Sequence, residues 1–138
     1  MKKILISSIV FLLFSSMFAQ VPQKMSYQAV VRNSNGTLVA SANIGLRISI
    51  LKGSITGNAV YEETHATATN QNGLVSIEVG NGIPQKGLFS DINWSNDSYF
   101  IKTETDPNGG SNYTISGTSQ LLSVPYALYA KNSGTGSA

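Results

Sequence analysis

Hydrophobic and polar residues alternate along much of this chain with a period of two, and no stretch longer than a few residues repeats with helical spacing. Successive side chains of a strand point to opposite faces, so alternation marks a strand with one dry side and one wet side. Ile44, Leu46, Ile48 and Ile50 alternate with Gly45, Arg47 and Ser49, and Val75, Ile77 and Val79 alternate with Ser76 and Glu78. Tyr99, Ile101 and Thr103 stand against Phe100, Lys102 and Glu104, and Tyr113 and Ile115 against Thr114 and Ser116. Residues 59–69 (AVYEETHATAT) are rich in Thr, Val and Tyr, which suit a pleated surface, and an earlier strand covers 26–32 (SYQAVVR).

Turn residues separate these runs. Asn35-Gly36, Asn72-Gly73 and Asn81-Gly82 can each supply the positive φ that tight hairpins demand. In 106–110 (DPNGG) the proline presets the first turn angle and the glycines relax the later ones. Strands spaced in this way predict an all-β protein: one antiparallel, immunoglobulin-like β-sandwich of about seven strands over residues 20–124. The apolar run at 121–124 ends at Pro125, and 126–131 (YALYAK) holds helix formers, which predicts a short C-terminal helix over 125–131. Residues 132–138 (NSGTGSA) have the composition of a flexible linker.

The first residues break the pattern. Lys2 and Lys3 precede an apolar run at 4–14 and small residues at 15–19, the order of a secretory signal peptide cleaved after Ala19. The 16 residues from Ile4 to Ala19, serines included, fall short of the roughly 20 apolar residues of a membrane span. Signal removal therefore predicts a secreted or cell-surface protein with no transmembrane segment. It also changes the charge: the formal +2 of the full chain becomes seven basic against seven acidic residues. The remaining Lys and Arg are scattered without interleaved aromatics, so nucleic acid is not an expected partner.

Charged residues make up 12% of the chain, about half of ordinary usage, whereas residues 20–138 contain 37 Ser, Thr and Asn. Cysteine is absent and His65 is the single histidine. That excludes disulfides, thiolate chemistry and Cys-ligated zinc, and leaves no histidine cluster for a metal. Glu62 and Glu63 are adjacent on a strand and point to opposite faces, so they cannot act as a carboxylate pair. His65 lacks an orienting carboxylate and a nucleophile identifiable from sequence. Asp106, Asn108 and Ser111 offer oxygen ligands, without the acidic positions and closing glutamate of a calcium loop. No catalytic, cofactor or metal residue is predicted, and the expectation is a protein that is not an enzyme. Trp94 and Tyr99, with Phe89 and Tyr113 nearby in sequence, could form an aromatic platform for a glycan; the opposing expectation is that Trp94 plugs one end of the core.

Taken in order, 26–32 (SYQAVVR), Asn35-Gly36, 46–50 (LRISI), 60–65 (VYEETH), 72–80 (NGLVSIEVG), 99–104 (YFIKTE) and 123–130 (SVPYALYA) resemble the N-terminal β-sandwich domain of secreted Gram-negative bacterial surface and tail-fibre-like proteins. The opening and closing segments carry most of that resemblance. Val75 departs from it, standing where that family often has Phe. The resemblance implies a stalk or a tail-fibre chaperone domain after the VPYA segment, and it brings no catalytic residues. Tyr126, Leu128 and Tyr129 are the interaction candidates, either as a junction at which copies self-associate, with three meeting where a stalk begins, or as part of a C-terminal segment that folds back to cap its own sandwich. The expected function is a non-catalytic exported structural or adhesive module at the N-terminus of a bacterial surface or fibre protein. The alternative is a carbohydrate-binding module using Trp94 and Tyr99.

Overall fold

The computed structural model describes residues 23–122. The signal segment 1–19, the helix expected over 125–131, the linker and the residues Tyr126, Leu128 and Tyr129 lie outside the described residues. The described chain forms seven strands: β1 (Met25–Val30), β2 (Asn43–Lys52), β3 (Ala59–Ala68), β4 (Leu74–Val79), β5 (Ile83–Lys86), β6 (Tyr99–Asp106) and β7 (Ile115–Leu121). Among the described residues the one helical element is a three-residue 3-10 turn, Phe89–Asp91. No helix there is long and apolar enough to cross a membrane.

The strands form two antiparallel sheets, a pair β1–β4 and a larger sheet ordered β5-β3-β2-β6-β7. In the pair, Tyr27 lies opposite Ile77 and Ala29 opposite Val75, so Met25, Tyr27 and Ala29 share one face with Val75, Ile77 and Val79. That face packs on Ile44, Leu46, Ile48, Ile50, Tyr61 and Ile101 of the larger sheet. The result is a sandwich-like, all-β arrangement with its core between the layers. Ile48 and Ile50 are fully buried, so truncating either to alanine would cost about 2–5 kcal/mol.

Two strands cannot cover five. β7 is the edge of the larger sheet and is exposed at every position except its two ends, Ile115 and Leu121, which pack against the core. Its composition explains how it survives there: Ser116, Gly117, Thr118, Ser119 and Gln120 are small or hydrogen-bonding and need no dry layer. The strand expected at 113–116 therefore begins at Ile115 and continues through residues with no apolar alternation. β5 was not legible either, because Pro84 breaks the pattern. It pairs with β3 alone, and an edge position accommodates a residue without an N–H and blunts the edge against pairing.

Turn chemistry largely follows the sequence. Gly36, Gly73 and Gly109 take positive φ of 83°, 72° and 87°. At Asn81-Gly82 the expectation fails, for it is Gly80 that takes the positive φ, 99°. Gly82 is needed for space instead: a Cβ there would lie 2.6 Å from His65 Nε2 and 2.8 Å from the Thr64 carbonyl oxygen.

Candidate functional site

Three places gather polar or aromatic side chains. The first is inside the fold. Tyr61, Glu63 and His65 alternate along β3 on its core-facing side, and Glu63 is completely buried. Its carboxylate accepts a hydrogen bond from the Tyr61 hydroxyl at 2.5 Å. It accepts two more from the backbone N–H groups of Gly80 and Gly82 at 2.9 and 3.1 Å, and pairs with His65 Nε2 at 2.6 Å. Burial, reinforced by the bond to Glu63, raises the Tyr61 phenol above its ordinary range. The β3–β5 pairing shifts register between Glu62 and Glu63, so the carboxylate takes up the amides of the β4–β5 turn where the ladder is irregular.

This network answers two expectations. Glu62 and Glu63 do point to opposite faces: Glu62 lies outside and accepts from the Ser49 hydroxyl at 3.1 Å. His65 does have an orienting carboxylate, Glu63, which sequence reasoning missed. The signal was present, since residues 61, 63 and 65 share one face of a strand whose partner contributes Leu46, Ile48 and Ile50. His65 keeps 12% of its side chain exposed, whereas Glu63 is wholly enclosed. Both carboxylate oxygens are consumed by donors, so the network ties β3 to the β4–β5 turn.

The second place is the outer face of the larger sheet. Arg47 and Glu104 are directly opposite on β2 and β6 and form a two-pronged ion pair of 2.7 and 2.9 Å. Lys102 Nζ joins Glu104 at 3.3 Å, and the Arg47 guanidinium lies 4.7 Å from the centre of the Tyr113 ring. The bond from Arg47, then that from Lys102, lowers the Glu104 carboxyl below its ordinary value against the opposing effect of burial. Beside them is an open polar depression of about 590 Å³, bordered by Glu62, Thr64, His65, Gln85 and residues 109–111. The nearby Asp106 carboxylate accepts from the N–H groups of Asn108 and Asn112, both at 2.9 Å. These backbone bonds, Asn108 first, lower its pKa. Asp106 thus shapes a hairpin turn, and no group of three or more metal-ligating side chains occurs among the described residues.

The third place is one end of the sandwich. Phe89, Trp94 and Tyr99 stack edge to face, with Phe89–Trp94 centroids 5.7 Å apart and Trp94–Tyr99 centroids 5.1 Å apart. Each contact of this kind adds about 0.5–1.5 kcal/mol beyond the buried area. Tyr99 is 5% exposed and donates its hydroxyl to the Asn93 carbonyl at 2.8 Å, so it offers no open platform. Trp94 is 40% exposed: one side stacks on Phe89 and Tyr99 and a flank stays open. That flank faces a cavity of about 580 Å³, floored by Met25, Phe89, Tyr99 and Leu121. Lys24, Asp97, Ser98 and Gln120 form its polar rim. Gln23 and Leu122, the first and last described residues, also line it, so the described segment begins and ends here.

Of the sequence-predicted residues, the structure brings Trp94 and Tyr99 together with Phe89. It sets Tyr113 on the opposite side of the larger sheet, against Arg47. Every buried side-chain nitrogen and oxygen among the described residues has a hydrogen-bond partner. Comparison with curated proteins finds no match, and neither does comparison with solved structures. A family model does match, over residues 26–119, which runs from the second residue of β1 to the fifth of β7. The chain therefore belongs to the family described as a domain of unknown function, DUF8740.

Proposed function

We propose that this chain is a non-catalytic, exported structural or adhesive module that sits at the N-terminus of a bacterial surface or fibre protein. Its two layers have an immunoglobulin-like arrangement in this reading. The observation that carries the proposal is that the described domain begins and ends, at Gln23 and Leu122, at the same end of the sandwich, beside Trp94. A domain attached at one end presents its other end freely. There the Asn- and Gly-rich turns at 33–36, 70–73 and 106–111 provide a polar, nearly uncharged surface. The acidic side chains best placed for chemistry support the same reading: Glu63, Glu104 and Asp106 are committed to holding strands and turns.

The reading includes self-association through Leu128 and Tyr129, with Tyr126 beginning the junction. Sedimentation of residues 20–138, alone and with Leu128→Ser and Tyr129→Ser, tests it. An oligomer that the pair of substitutions dissolves supports the module reading. A chain that remains monomeric at every concentration counts against it.

A second reading, glycan binding, is favoured by the open flank of Trp94. Titration with a glycan panel, followed by Trp94 fluorescence, decides it. A flat response across the panel rejects it.

A further inference from the structure

The cavity beside Trp94 has a volume typical of pockets that hold a small ligand. Its floor is apolar and aromatic, its rim polar, and the chain leaves the described domain at its lip, through Leu122. Leu122 is itself 76% exposed. The next residues are Ser123, Val124, Pro125 and Tyr126. We propose that this cavity is the seat of the chain's own segment 124–126, with Tyr126 as its anchor. The proposal deepens the reading of this protein as the root of a longer structure, because it fixes the segment that leads away from the sandwich.

Four observations select this occupant. Reach is the first: Tyr126 lies four residues past Leu122, a span of up to about 14 Å for an extended chain. Direction is the second. Pro125 biases Val124 away from helical angles and toward an extended backbone, the conformation that gives a segment its longest reach. Chemistry is the third. A tyrosine has an apolar ring and a polar tip, and this cavity offers Trp94 and Leu121 to the ring and Asp97, Ser98 and Gln120 to the hydroxyl. Tethering is the fourth. A short linker gives an effective concentration on the order of millimolar, above that of a competing free chain. The N-terminal side offers a weaker candidate, since a chain starting at Gln20 has only Gln20, Val21 and Pro22 before Gln23, with no aromatic.

Trp94, the single tryptophan of the chain, reports occupancy directly. In residues 20–138, Tyr126→Ser should raise acrylamide quenching of Trp94 roughly twofold, because an aromatic ring that covered the flank is gone, at an unchanged far-ultraviolet circular dichroism spectrum. Leu128→Ser with Tyr129→Ser should leave quenching unchanged, which separates this proposal from the self-association it accompanies. Ser98→Cys with Ala127→Cys, in a chain otherwise free of cysteine, should form a disulfide within one chain and run as a monomer on a non-reducing gel. Unchanged quenching in Tyr126→Ser overturns the proposal. So does protection that grows with protein concentration or a disulfide-linked dimer, either of which assigns the cavity to a second copy. An increase produced by Val21→Ser in place of Tyr126→Ser assigns it to the N-terminal segment and equally overturns it.

Discussion

Replacing Glu63 with leucine keeps most of the side-chain volume and removes every acceptor from the centre of a four-partner network. Tyr61, Gly80, Gly82 and His65 all converge on this carboxylate. His65 retains some access to solvent, with 12% of its side chain exposed. The other three donors are left dry, and two of them are backbone groups that no side-chain change can remove. A buried donor without an acceptor costs about 1–3 kcal/mol. Three of them, less the relief of no longer burying a carboxylate, give a loss of about 4 kcal/mol. A domain's whole stability is about 5–15 kcal/mol, so Glu63→Leu should lower the melting temperature by roughly 20 °C.

Two companion variants make the reasoning specific. Glu63→Gln keeps one oxygen where Tyr61, Gly80 and Gly82 meet and turns its amide toward His65, whose Nε2 can accept in its other tautomer; it should cost only about 1–2 kcal/mol. Tyr61→Phe added to Glu63→Leu removes one orphaned hydroxyl and should recover about 1–2 kcal/mol relative to additivity. Urea unfolding followed by Trp94 fluorescence and circular dichroism measures these proteins together with Tyr61→Phe alone, five in all. Equal midpoints for the glutamine and leucine variants, or a leucine variant as stable as the unaltered chain, would refute the argument. Either result would mean that the buried donors find water or other partners.

Gly82→Ala should destabilise by about 1–3 kcal/mol, because its methyl would press on His65, Thr64 and Glu63; a urea midpoint within error of the unaltered chain would show that the turn yields. Glu104 and Asp106 have lowered pKa values. Their stabilisation is therefore full above the ordinary carboxylate range near about 4 and is lost as pH falls through their lower folded-state values. Urea midpoints measured from pH 7 to pH 2 should show this fall, and Glu104→Gln should flatten it. Tyr61 has a raised pKa, so its contribution is complete below the ordinary phenol value of about 10 and is lost as pH rises beyond it. Tyr61→Phe should remove that alkaline slope in the same assay. Trp94→Ala should cost about 2 kcal/mol, less than a fully buried tryptophan, through loss of its contacts with Phe89 and Tyr99; thermal melts followed by circular dichroism check it.

The sequence by itself determined the strands with one dry face. Wherever Ile, Val, Leu or Tyr alternated with polar residues, as along Ile44–Ile50 and Val75–Val79, burial of one side and solvation of the other left a single local solution. It also determined that no disulfide could brace the fold, and it placed Trp94 and Tyr99 close together. Only tertiary structure decided the rest, because those features arise between segments distant along the chain. β5 exists because β3 offers it an edge, despite Pro84. β7 continues through Gly117–Gln120 because β6 supplies its hydrogen bonds, and the two-stranded layer asks for no apolar face there. Glu63 looked like any strand glutamate until the amides of Gly80 and Gly82 were brought to it across the β4–β5 turn. The cavity at the end of the sandwich likewise depends on β1, the Phe89–Ser98 loop and β7 meeting in space. Local alternation specifies which face of a strand is buried, whereas the partner of a buried polar group is set by topology.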